Sequence, residues 1–198
     1  RYFGEVLAAK LEAAGIAVKG GSRLGQAPSG AKRIYRYENG RNLREVLTSM
    51  LEYSNNFIAN YLFVMLGGKE GQRGLDMAKG QAAARRWVDK EFRWRDYRIE
   101  DGAGLSRANR LSARQLLAVV KAFAPYRDLL PAHEGVARAK TGTLKGVSTY
   151  AGFVRRAGRW EPFGLMINAP VAYNLRLEVA DTLARAPDVS RYCPGSQC

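Results

Sequence analysis

Apolar residues at helical spacing organise most of this chain. Phe3, Val6, Leu7, Leu11 and Ala14 fall on one face, which predicts a helix from Tyr2 to Ala14 with Gly15 as its cap. Ile16 to Lys19 reads as a short strand ended by Gly20-Gly21. Residues 22–32, rich in Gly, Pro and Ser, read as a loop, and Arg33 to Tyr37 as an edge strand. Asn42 followed by Glu45 is a capping-box pattern, opening a helix whose stripe is Leu43, Val46, Leu47, Met50 and Leu51. The same stripe resumes at Phe57, Ile58, Tyr61, Leu62 and Met65. Leu75 to Phe92 predicts a further helix, with Arg93 to Ile99 running on into a strand. Ser112 and Gln115 form a second capping box ahead of Leu116, Leu117, Val120 and Phe123. Val136 to Thr141, Val147 to Arg155 and Trp160 to Asn168 read as three strands, the last two joined by a hairpin at Gly158. Tyr173 to Ala186 predicts a closing helix.

One position breaks the pattern. Ser54 falls where the stripe calls for an apolar residue, and Ser54, Asn55 and Asn56 in succession compete with a helix for backbone hydrogen bonds. A helix break is expected there. Polar groups set into an apolar seam violate local consistency in the way that functional sites do.

The chain has 198 residues, 46% hydrophobic and 25% charged, as in a soluble globular domain with its own core. The apolar run from Phe57 to Leu66 is interrupted by Asn60 and is too short to span a bilayer, so no transmembrane segment is expected. No signal peptide is visible. The chain opens on Arg1 rather than Met, and the expectation is that its N-terminus has been removed. Net charge is +14 and the isoelectric point about 10.1, a field that favours polyanions. The basic residues are spread from Arg1 to Arg191, however, and the aromatics among them (Trp87, Phe92, Trp94, Tyr97) fit an amphipathic helix and its exit better than a base-stacking platform. A solvated basic surface is therefore the reading preferred over nucleic-acid binding.

Cys193 and Cys198 bracket Pro-Gly-Ser-Gln; a small disulfide loop and two free thiols are both compatible with that spacing, the first pointing weakly to export. A zinc site would need further ligands, and the single histidine, His133, is distant and reads as a loop residue. With one histidine and no serine suitably placed around it, a Ser-His-Asp triad is not supported. Gly67-Gly68-Lys69 lacks the spacing and hydroxyl of a phosphate loop.

Chemistry concentrates in four segments: Ser54-Asn55-Asn56 with Phe57-Ile58-Ala59; Asp101-Gly102-Ala103-Gly104-Leu105-Ser106-Arg107; Asn109-Arg110-Leu111-Ser112; and Ala139-Lys140-Thr141-Gly142-Thr143-Leu144-Lys145-Gly146-Val147-Ser148. In content and order they resemble the penicillin-binding serine D-Ala-D-Ala carboxypeptidase/endopeptidase family, specifically its class C members with large insertions. Ser-x-Asn and Lys-Thr-Gly are two of that family's three motifs. The resemblance spans most of the chain and departs from the family at Asn55, where aspartate is common, and in the short connection from Phe123 to Val136.

The resemblance implies roles. Ser54 would pass a proton towards the leaving amine, Asn56 would hydrogen-bond the substrate backbone, and Lys140 would stabilise negative charge. Thr141 and Thr143 would hold the substrate's terminal carboxylate, with the Thr143 amide in the oxyanion hole. Gly142 would leave room for a substrate strand along the edge carrying Lys140. Asp101, Gly104 and Ser106 would brace the site. Substrates would be peptidoglycan stem peptides, with β-lactams as mimics; no metal or organic cofactor is implied, and the setting would be periplasmic or otherwise exported.

The family's nucleophile is a serine opening a buried helix, with a lysine one turn later as its base. The only literal match here is Ser29-Gly30-Ala31-Lys32, which follows Pro28, contains glycine and reads as loop. The expectation is therefore a chain corresponding to the C-terminal part of such an enzyme, inactive alone, with its nucleophile on an upstream segment of the same protein. Residues 1–40 would be the end of the inserted region, 41–192 the C-terminal part of the penicillin-binding domain, and 193–198 a tail. The fold expected is α/β: part of a β-lactamase/transpeptidase-like fold, an antiparallel sheet with packed helices and a helical subdomain carrying Ser54. A non-catalytic peptide-binding module of the same fold is the main alternative, and a basic nucleic-acid-binding domain a weaker one.

Overall fold

The computed structural model describes residues 2–26, 28–68, 74–133, 135–172 and 174–186. The chain divides into two compact units, Arg1–Gly40 and Arg41–Cys198. In the first, helix α1 spans Tyr2–Ala13. The Gly15 amide donates to the Glu12 carbonyl and that of Ile16 to the Leu11 carbonyl, each at 2.9 Å, which closes the last turn. The strands expected at residues 16–19 and 33–37 do not form. Ile34, Tyr35 and Tyr37 are exposed, and alternation makes a strand only where a neighbouring edge and a packing face exist. Ser29 to Lys32 is a turn, with the Ala31 amide on the Pro28 carbonyl at 3.1 Å, so serine and lysine do not share a helical face.

The second unit carries the sheet. Helix α2, Leu43–Tyr53, opens with the expected capping box: the Asn42 side chain accepts from the Glu45 amide and the Glu45 carboxylate from the Asn42 amide. Helix α3, Asn56–Met65, follows after the break at Ser54 and Asn55, and helix α4 spans Met77–Phe92 behind an Asp76 cap. Residues 93–99 do not form a strand; only Arg98 pairs, in an isolated bridge to Arg110. Helix α5, Ala113–Ala122, has the second capping box, Ser112 with Gln115. A 3-10 helix, Ala124–Leu129, leads to strand β1, Ala132–His133, so His133 lies on an edge strand rather than in a loop. Strands β2, Ala137–Leu144, β3, Val147–Arg156, and β4, Arg159–Ile167, complete an antiparallel sheet in the order β1-β2-β3-β4. Helix α6, Leu175–Arg185, closes the described chain. Tyr173, where that helix was expected to begin, and Cys193 and Cys198 lie outside the described residues.

Both sheet faces are covered. Ala137, Ala139, Tyr150, Val154 and Phe163 pack with Ala180 of α6, and Leu183 and Ala184 join them. On the opposite face Phe153 packs with Val120 and Leu130, supported by Leu51, Phe123, Ala151 and Trp160. Leu51 therefore ties α2, and with it Ser54, to the sheet. Burying apolar area on each face is what holds these layers, at about 25 cal/mol per Å2. Among the described residues no helix is long and apolar enough to cross a membrane. Phe153 is 3% exposed within the second cluster. Phe153→Ala is expected to cost about 3–5 kcal/mol, read as a lowered urea midpoint for unfolding.

Candidate active site

Strand β2 sets the site's geometry through its hydrogen-bond parity. The Arg155 amide donates to the Val136 carbonyl at 2.7 Å, so in the β2–β3 register residues 136, 138, 140, 142 and 144 turn their backbone groups towards β3. Residues 139, 141 and 143 turn theirs the other way. The Ala139 amide accordingly reaches the Pro131 carbonyl at 3.0 Å, beside the short β1. Past Ala139 no strand pairs with this edge among the described residues, so the Thr141 and Thr143 backbone groups lie along an open edge.

Side chains alternate between the faces. Lys140 is on the face shared with α2 and α5, and its Nζ donates to Ser54 Oγ, 86 residues away in sequence, and to the Thr141 carbonyl at 3.1 Å. Thr143, exposed, is on the α6 face, where its Oγ1 accepts from Arg176 Nη1 at 2.8 Å. Arg176 also donates to the Gly142 carbonyl at 3.1 Å and is only 2% exposed. Gly142 lies opposite Thr149, and a Cβ at 142 would stand 2.3 Å from Thr149 Oγ1. A side chain at 142 would therefore have to displace the Thr149 hydroxyl.

Ser54 caps α2 in the left-handed region, at φ 52° and ψ 47°, a conformation costing a non-glycine residue about 1–2 kcal/mol. Asn55 turns the chain into α3, its side chain accepting from the Ile58 amide at 3.0 Å, and Asn56 is the exposed first residue of that helix. The strained junction puts a hydroxyl at the Lys140 ammonium, where glycine would satisfy the backbone more cheaply. With the ammonium donating to its oxygen, Ser54 keeps its own proton available for another acceptor.

Asp101 organises the adjoining loop. Its Oδ2 accepts from the Ser106 amide at 2.7 Å, and its Oδ1 from the Leu105 amide at 3.2 Å and also from the Gly104 amide. Among the described residues none of the three bonds Ser54 or Lys140. Two residues overlooked in the sequence attach the loop to the site. Asn60 Oδ1 on α3 accepts the Gly102 and Ala103 amides at 2.9 and 3.0 Å, and Arg107 Nη2 donates to the Lys145 carbonyl at 2.6 Å in the β2–β3 turn. Gly102 comes so close to α3 that a Cβ there would meet the Ala59 carbonyl oxygen at 2.5 Å. Asn60 had a signal, an amide interrupting an apolar helical run; Arg107 lay in the 101–107 segment without an assigned role, and Arg176 had no signal among so many arginines. Among the described residues no group of three or more His, Cys, Asp or Glu is placed to hold a metal ion.

Partial burial lowers the Lys140 pKa below 10.5; Glu52 opposes this and Arg176 reinforces it. The folded state thus holds this proton less tightly than the unfolded chain. The stability cost is present while both states are protonated and disappears as pH rises through the folded value towards 10.5.

A sequence profile described as the D-Ala-D-Ala carboxypeptidase 3 (S13) family matches residues 1–131 and 126–186. The D-alanyl-D-alanine carboxypeptidase DacB of Haemophilus influenzae is 28% identical over 180 residues, 79% of this chain and 37% of that protein. The crystal structure of penicillin binding protein 4 (dacB) from Haemophilus influenzae, complexed with a β-lactam, superposes with a TM-score of 0.71 at 22% identity, over 93% of this chain and 51% of that one. A predatory peptidoglycan endopeptidase from Bdellovibrio bacteriovorus superposes at 0.53 with 17% identity, over 71% and 42%. The chain therefore spans between about a third and a half of the length of these relatives, and the superpositions establish a shared α/β fold.

Two outcomes are expected from the site's geometry. Ser54→Gly should unfold at a higher urea concentration than the parent, by up to about 1 kcal/mol, whereas Ser54→Ala keeps the strained backbone and gains nothing. In an NMR titration followed at the Lys140 side chain, the midpoint should fall below 10.5, and a midpoint at or above that value would contradict the desolvated ammonium described.

Proposed function

The chain belongs to the D-Ala-D-Ala carboxypeptidase 3 (S13) family, and from that premise we propose that it is the penicillin-recognising portion of an exported serine D-Ala-D-Ala carboxypeptidase or endopeptidase. The observation that carries the reading is the Lys140 ammonium on Ser54 Oγ at the point where the β2 edge becomes free of strand pairing. An extended peptide can add to such an edge through main-chain hydrogen bonds.

In this reading a stem peptide ending in D-Ala-D-Ala lies along Lys140–Thr143. Its terminal carboxylate takes hydrogen bonds from the Thr141 and Thr143 hydroxyls, and Asn56 bonds its backbone. A serine hydroxyl attacks the penultimate carbonyl, forming an ester and expelling D-alanine or, in a cross-link, the amine of the neighbouring stem. The Thr143 amide and the nucleophile's own amide stabilise the oxyanion. Ser54 delivers the proton to the departing nitrogen, with Lys140 holding the hydroxyl in place. Water then hydrolyses the acyl-serine. No cofactor is required by these steps.

The nucleophile belongs, on this proposal, to a Ser-x-x-Lys helix outside residues 1–198, since Ser29 to Lys32 is a turn. Residues 1–40 are assigned to the end of an inserted region and 41–192 to the penicillin-binding domain. The same turn favours a second reading, a peptide-binding module of this fold without turnover.

Incubation with a fluorescent penicillin tests both. Residues 1–198 should bind it reversibly, Lys140→Ala should weaken that binding about ten- to hundredfold, and no covalent adduct should form. Acylation is expected at a serine N-terminal to Arg1 in the gene product that carries this chain; its absence there, with reversible binding intact, selects the module. A covalent adduct mapped to Ser29 would overturn the assignment of the nucleophile.

A further inference from the structure

Resting on the carboxylate-binding role proposed for Thr143, we propose that Arg176 is a positioning residue that makes the site selective for peptides ending in a free carboxylate over those ending in a carboxamide. Arg176 belongs to α6, on the sheet face opposite Lys140 and Ser54, and no sequence motif points to it. It is 2% exposed, so its guanidinium cannot meet a ligand lying along the β2 edge. What it contributes to the site passes through groups it touches there, among them the Thr143 hydroxyl at 2.8 Å and the Gly142 carbonyl at 3.1 Å.

The chemistry of those contacts is directional. A guanidinium only donates, so Thr143 Oγ1 is held as the acceptor of that bond. The hydroxyl proton must then point to a different acceptor, and because Thr143 is exposed, that acceptor comes from solvent or ligand. Without Arg176 the hydroxyl rotates freely and can equally present a lone pair, which suits a carboxamide N–H. With Arg176 in place it presents a donor, which suits a carboxylate oxygen. The bond to Gly142 fixes the backbone on which the hydroxyl is carried.

Charge acts in the same sense. Lys140 and Arg176 flank the Thr141–Thr143 segment from opposite faces of one strand. Their mutual repulsion is part of what lowers the Lys140 pKa, and an anion placed between them relieves it. A hydrogen bond from a hydroxyl polarised by a buried cation is stronger than one from a free hydroxyl, and the low-dielectric surroundings of Arg176 screen it less than water would. Neutral termini gain nothing from this arrangement.

The test compares an N-acylated peptide ending in D-Ala-D-Ala with the same peptide as its C-terminal amide, each titrated into residues 1–198 and followed at the Thr143 amide by NMR. The parent chain should prefer the acid. Arg176→Gln should reduce that preference about ten- to hundredfold, by weakening acid binding while amide binding holds or improves, and Arg176→Lys should restore part of it. Thr143→Val, which leaves Arg176 in place, should lose the same preference and serves where the Arg176 variants fail to fold. A preference for the acid that survives in folded Arg176→Gln overturns the inference while leaving the proposed function intact, whereas one that survives in Thr143→Val overturns both the inference and the role proposed for the Thr143 hydroxyl. If the parent binds neither peptide nor penicillin, the proposed function fails and the inference with it.

Discussion

The pleat of β2 constrains everything around the site, because one strand has to serve two packed faces and an open edge. Ala137 and Ala139 are driven against α6 by burial, which fixes the phase of the strand. With that phase set, Thr141 and Thr143 follow on the α6 face and Lys140 and Gly142 on the other. A slip of one residue would carry Lys140 away from Ser54 and bury its ammonium against Ala180. The same parity directs alternate backbone groups to β3 and to the open edge, so the side-chain arrangement and the exposed amides are consequences of a single register.

The helical side of the site is held less directly. Leu51 packs into the Phe153 cluster and fixes the end of α2, and the left-handed Ser54 then breaks the helix so that α3 can leave in a new direction. Asn60 of α3 grips the Gly102–Ala103 backbone, and Arg107 carries the same loop across to the β2–β3 turn. The loop thereby bridges α3, which follows Ser54, and the turn that follows the strand bearing Lys140. Its internal bonds converge on one carboxylate, Asp101, which cross-links the loop's own backbone. Those links matter here because the Ser54–Lys140 contact joins two exposed or half-buried groups, which alone could not hold two elements together.

Local chemistry was legible wherever it is self-contained. Both capping boxes, the break at Ser54, the hairpin at Gly158 and the three long strands depend on neighbours within a few residues, and so does the apolar periodicity that places the core. The motif residues were legible as types: a serine misplaced in an apolar stripe, and a lysine followed by Thr-Gly-Thr. Elements that depend on a distant partner were not. Residues 16–19 and 33–37 alternate as strands do but find no edge to join, while Ala132 and His133 form a strand with no pattern of their own because Ala137 and Arg138 lie beside them. Asn60 and Arg176 act on backbone groups 42 and 34 residues away, contacts that no local window contains. The sequence by itself determined the helices with their caps, the three long strands and which residues carry polar chemistry. Only the tertiary structure decided which of those residues face one another, because that depends on the register of β2 and on how the packed layers bring distant backbone together.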